Sequence, residues 1–195
     1  MRNFLIILFV VLSFGLKAQD TIVFMNGKVL PVKNITLSGY TIAYKTIEKD
    51  KLKKISPDNV FSIQYADGTE RIIFNPDPRD SLEYTIPQMR MFIKGEQDAS
   101  LYYKNNANKV AAFLVGGGAS IFAIYGLVVP AAYATVVGAF SPNMGKMKVS
   151  DTMLLNDQDY REGYKSKVRN RKIRNSLISG FLGFAAGAVI LSVTQ

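Results

Sequence analysis

The 195-residue chain has no cysteine, no histidine and no tryptophan. Without cysteine there is no disulfide, no thiol nucleophile and no thiolate metal site, and the redox compartment leaves no trace in the composition. Without histidine the commonest general base and the commonest transition-metal ligand are both missing. These absences, with no paired acid and base elsewhere, point away from an enzyme and from any cofactor or metal. Without tryptophan, tyrosine is left as the interfacial aromatic residue. Acidic charge is also scarce: 24 Lys/Arg stand against 15 Asp/Glu, a formal net charge of +9. Such an excess often marks nucleic-acid binding. Here the basic residues gather beside apolar segments, so topology and anionic headgroups explain them better, and no nucleic-acid partner is expected.

Two stretches lack charge altogether, Val110 to Phe140 and Ser176 to Thr194. A helix needs about 20 apolar residues to cross a ~30 Å hydrocarbon layer, so both qualify as membrane segments. Between them, 141–175 carries nine Lys/Arg and four Asp/Glu. A third apolar run, Phe4 to Leu16, follows Met1-Arg2-Asn3 and precedes Leu16-Lys17-Ala18. That is the layout of a secretory signal, shorter than a normal span. Residues 1–18 are therefore expected to be a signal peptide, placing the mature N-terminus outside the cytoplasmic membrane.

Residues 19–75 read as short strands. Thr21 to Met25 is β-rich, and Asn26-Gly27 and Asp67-Gly68 supply hairpin turns. Tyr40, Ile42 and Tyr44 alternate on one face, as do Phe61 and Ile63, and these five are the expected core. The expectation is a small periplasmic antiparallel meander, closed or nearly closed as a barrel. Asn75-Pro76-Asp77-Pro78 breaks the pattern. Residues 76–108 then form a linker and an amphipathic helix at the membrane surface, since Met89, Phe92, Ile93 and Ala99 approach a 3.6-residue period. Glu96 and Asp98 on such a helix read as solvated neighbours.

The first membrane segment, 109–140, is long for one span. Pro130 divides it, giving either one kinked crossing or a re-entrant hairpin turning near Gly126 to Pro130. The single crossing is favoured, because the basic 141–175 loop then stays cytoplasmic. The second span is 176–195. Small residues are dense in both: Gly116, Gly117 and Gly118 in the first, Ser179, Gly180, Gly183 and Gly187 in the second. They are the expected helix-packing surface, serving the two spans of one chain, a homo-oligomer or another membrane subunit.

Asp20-x-Ile22, Asn26-Gly27-Lys28 and Val60-Phe61-Ser62-Ile63-x-Tyr65-x-Asp67-Gly68 resemble a small exported β-module of Bacteroidota-type envelope proteins. The following segment is similar to one that often accompanies it, with Glu96, Asp98, Tyr102 and Tyr103 before a Gly-rich membrane region and Tyr160, Gly163 and Tyr164 before a final Gly-rich span. The resemblance implies architecture and compartment, and it leaves the role of these seven residues open. The expected protein is an α+β membrane protein of the bacterial envelope, held in the inner membrane with its β-domain periplasmic. Its expected work is assembly, anchoring or scaffolding, with the bilayer and a membrane protein or second copy as partners. The alternative is an accessory subunit of a channel or transporter.

Overall fold

A computed structural model describes residues 19–48, 51–143 and 147–194. The expected signal peptide, 1–18, lies outside these described residues. The chain divides into two compact units, 1–86 and 87–195.

The first unit is a six-stranded antiparallel sheet of β1 (Asp20–Phe24), β2 (Val29–Ser38), β3 (Thr41–Thr46), β4 (Leu52–Ile55), β5 (Val60–Gln64) and β6 (Glu70–Ile72). Strands β1 to β4 follow as hairpins; β5 then returns to pair with β1, giving the order β4-β3-β2-β1-β5-β6. Gly27 and Gly68, both at positive φ, make the tight turns that Asn26-Gly27 and Asp67-Gly68 predict. Strand β2 bends at a bulge between Lys33 and Thr36, where Asn34 adopts φ 51°. Registers such as Ile22 opposite Leu30 and Ile63, and Ile42 opposite Leu37 and Ile55, set the apolar side chains on one face. The core comprises Ile22, Val32, Ile42, Tyr44, Val60 and Ile63, and Phe61 is buried nearby against Phe74.

Two expectations need correction. Tyr40 is 94% exposed, because β3 begins only at Thr41 and Tyr40 belongs to the preceding turn. The sheet also does not close: β4 and β6 are its edges and do not pair among the described residues. The unit extends past Asn75, since Glu83 Oε2 accepts from the Asp77 amide at 2.6 Å and ties the proline-containing segment together.

The second unit is helical: α1 (Ile86–Tyr102), α2 (Asn106–Ala119), a 3₁₀ stretch (Ser120–Leu127), α3 (Val128–Ala139), a short 3₁₀ turn (Thr152–Asn156) and α4 (Gln158–Thr194). The stretch expected as a basic loop, 141–175, is thus helical from Gln158, and α4 runs unbroken for 37 residues, or about 55 Å. Lys and Arg are good helix formers, and Lys167 and Arg171 of this run gain partners along α1 and at its end.

α2 and α3 do not form the one kinked helix that a single crossing would need, because the chain reverses between them. Gly116 lies on Gly180 and Ser120 on Gly187, so α2 runs parallel to α4. Pro130 lies on Gly180 and Gly138 on Ile173, so α3 runs back antiparallel. The reversal occurs at Phe122-Ala123, where Ala123 takes φ 49° and ψ −133°. That left-handed conformation is strained for a residue with a Cβ. Pro130 does not break the chain: it is the third residue of α3, where its missing N–H would have no helical partner.

Candidate functional site

The seven residues of open role draw together where α1 meets the first half of α4. A Cβ on Gly95 would overlap the Tyr160 carbonyl oxygen, and one on Gly163 would overlap that of Phe92. The two glycines therefore let the helix backbones touch. Around this crossing Tyr160, Tyr164, Val168 and Ala99 are buried, with the two tyrosine rings 6.5 Å apart. Tyr102 and Tyr103 end α1, and Tyr103 packs against the same cluster.

Asp98 is 1% exposed at the centre. Its Oδ2 accepts from Tyr160 Oη at 2.7 Å, from the Ser150 amide at 2.9 Å and from Ser150 Oγ at 2.5 Å. Lys94 Nζ stands 3.4 Å from Oδ1, one helical turn earlier. Burial pushes the carboxyl upward, but the Ser150 and Tyr160 hydrogen bonds and the Lys94 charge outweigh it and hold Asp98 below its ordinary range. Burial, then the bond to Asp98, drives the Tyr160 phenol far up, so it stays a neutral donor.

Glu96 is the opposite case. It is 4% exposed, and Lys167 Nζ at 3.8 Å is beyond hydrogen-bonding distance. Oε2 has no hydrogen-bond partner. Burial raises this carboxyl, with the Lys167 charge offsetting part of the rise. The reading of Glu96 and Asp98 as solvated neighbours is therefore corrected: α1 buries both against α4, which requires Gly95 and Gly163.

Arg171 closes the far end of α1. Its guanidinium donates to the carbonyls of Ala99 at 3.2 Å and of Ser100 and Tyr103 at 3.0 Å. Those carbonyls lie at the negative end of the helix, where a cation is favourable; that of Ala99 also accepts from the Tyr103 amide at 3.1 Å. At the start of α4, Asp157 Oδ1 caps the Tyr160 amide at 2.8 Å.

Beyond this crossing the small residues take over. Gly180 faces Pro130 of α3 and Gly183 faces α2: an added Cβ would press on the Pro130 ring at the first and overlap the Phe113 carbonyl at the second. Gly187 meets Ser120 and Gly117, and Gly116 lies against the Gly180 backbone. Ser179 is half-buried at the side of this face, and Gly118 points into open space. The α4 glycines are thus occupied within one chain. Apolar side chains point outward instead, among them Val110, Leu114, Val128, Val136, Leu182 and Ile190.

Sequence reasoning missed the roles of four participants: Ser150, Lys94, Lys167 and Arg171. Lys94 and Asp98 are spaced for an i,i+4 pair, which could have found them. Ser150 lies 52 residues from Asp98, and no local pattern joins them. The arrangement has a buried carboxylate whose Oδ2 accepts three hydrogen bonds while Oδ1 has only the Lys94 charge, and it ties α1 to α4 and to Ser150. Comparison with known proteins found no matching family model, no matching curated protein and no matching solved structure.

Proposed function

We propose that this chain is a non-enzymatic membrane protein of the cell envelope that anchors and presents its β-module, with assembly or scaffolding as its work. The observation that carries this reading is the helical hairpin α2–α3 packed on the glycine face of α4, apolar side chains outward. Two of its segments are long and apolar enough to cross a membrane. From the level of Ile173 to that of Gly187, α4 rises about 21 Å beside the hairpin, and it continues for about 10 Å beyond. In a ~30 Å hydrocarbon layer, α4 then crosses while the hairpin enters and returns.

No apolar segment separates the β-module from α1, so the module and the polar half of α4 lie on the same side of the bilayer in this reading. With an exported N-terminus that side is the periplasm, in keeping with the resemblance to exported envelope proteins. The basic residues of 141–175 need not then be read as a cytoplasmic marker. Arg161, Lys167, Arg171 and Lys172 each contact protein groups, so part of that charge serves the fold. A second reading, an accessory subunit of a channel or transporter, draws on the same re-entrant hairpin. Glycine contacts close α2 onto α4 backbone to backbone, and Pro130 and Ile173 side chains pack on glycines between α3 and α4, which favours the anchor.

The cysteine-free chain permits a clean test. Single Ser38→Cys, Asn170→Cys and Ser192→Cys variants are exposed to a membrane-impermeant maleimide in outer-membrane-permeabilised cells. The anchor reading expects positions 38 and 170 to label together and 192 to resist. Labelling of 38 and 192 with protection of 170 would restore the single crossing and sink this reading.

A further inference from the structure

A cavity of about 720 Å³ opens where the end of α1, the start of α2, the end of α3 and the middle of α4 meet. Lys104, Lys148 and Lys172 line it, and among the described residues no carboxylate does. The Lys172 ammonium donates to the neutral Phe140 carbonyl at 2.8 Å, and burial pushes its pKa below the ordinary value. Lys148 is held in place through its backbone, whose carbonyl accepts from Tyr164 Oη at 3.2 Å. The carbonyls ending α1 would repel an anion here, but Arg171 already occupies those of Ala99, Ser100 and Tyr103. Three lysines thus line one concave space that also takes in Tyr102, Tyr103 and the apolar Leu101.

We infer that this cavity binds a phosphate-bearing anionic headgroup, with Lys104, Lys148 and Lys172 as its ligands. Compact ammonium groups suit a phosphate as point charges, and an uncompensated trio favours an anion of more than one contact. The place matters as well. The cavity sits at the hairpin base, where the outward apolar surface of α2 and α3 gives way to polar residues, so a lipid headgroup would arrive with its chains along that surface. This rests on the membrane placement proposed above.

The test uses the full chain in detergent, and native mass spectrometry counts retained phosphatidylglycerol against phosphatidylcholine. Phosphatidylglycerol should be retained selectively, and each of Lys104→Gln, Lys148→Gln and Lys172→Gln should lower its apparent affinity about fivefold. Lys109→Gln, exposed and outside the cavity, serves as the control for general surface charge. Titration with sn-glycerol 3-phosphate separates the sources: binding of this soluble compound at comparable affinity assigns a free phosphorylated ligand, and binding of the lipid alone assigns the bilayer. Equal retention of the two lipids with no response to the soluble phosphate would overturn the inference, as would an equal loss in Lys109→Gln. Flotation of wild-type chain with phosphatidylcholine vesicles reports the membrane reading separately, so failure of one is distinguishable from failure of the other.

Discussion

Replacing Tyr160 by Phe removes one oxygen from the centre of the α1–α4 contact and leaves the ring in place. That oxygen donates at 2.7 Å to a carboxylate that is almost wholly buried. Hydrogen bonds to charged groups contribute about 1.5–3 kcal/mol, against about 0.5–1.5 kcal/mol for neutral ones. Asp98 retains its two bonds from Ser150, so the carboxylate is not orphaned and the lower half of the first range applies. Tyr164→Phe is the internal control, because its hydroxyl donates to the neutral Lys148 carbonyl at 3.2 Å. Amide exchange across α1, followed by mass spectrometry in mild detergent, reads the local opening. At 1.4 kcal/mol per tenfold, Tyr160→Phe should speed exchange about 10- to 40-fold and Tyr164→Phe by clearly less. The pH dependence follows from Asp98. Its folded-state pKa lies below the ordinary 3.8, so its contribution is complete above about pH 4 and is lost as pH falls through the depressed folded value. Wild type and Tyr160→Phe should therefore converge in acid. Equal effects of the two Phe variants, or a Tyr160→Phe deficit that persists in acid, would refute the charge-assisted account.

Glu96→Gln should stabilise the second unit by about 1 kcal/mol at pH 7, since a raised carboxyl pKa disfavours the charged form that neutral pH imposes; a lower melting temperature would contradict this. Gly163→Val should separate α1 from α4 and raise exchange throughout α1, because its Cβ meets the Phe92 backbone rather than a movable side chain. Gly183→Leu should do the same between α2 and α4, read as new protease cleavage within the hairpin. Ile63→Ala should cost the β-unit about 2–5 kcal/mol, enough to lose most of its cooperative unfolding transition, and a melt close to wild type would place the core elsewhere.

What the sequence reveals of this molecule divides by distance along the chain. Asn26-Gly27 and Asp67-Gly68 announce their turns, and period-2 alternation finds Ile42, Tyr44, Phe61 and Ile63, all within windows of a few residues. The same alternation fails at Tyr40, one residue before the strand begins. Pro130 offers the strongest local breaker in the first apolar stretch, yet the reversal falls at Phe122-Ala123, which have no turn chemistry. Contacts of both arms with α4 decide that position, and those span from about 35 to 70 residues. Glu96 and Asp98 show the same limit. Their types suit a solvated surface, and only the approach of Gly163 to Phe92 removes that surface from water.

The order of synthesis gives the glycine face of α4 a further meaning. The hairpin's counterpart is made after it, and Gly187 follows Ala139 by nearly fifty residues. At about 5–20 residues per second, α2 and α3 exist for roughly 2–10 s before the surface they fit has been translated. For that interval the chain carries an apolar segment whose partner is still missing, and the strained turn at Ala123 has nothing to hold it. In the membrane placement proposed above, insertion then does not finish arm by arm as each emerges. The hairpin's packing is complete only once α4 is made, and a delay in completing α4 prolongs the time its partner surface is missing.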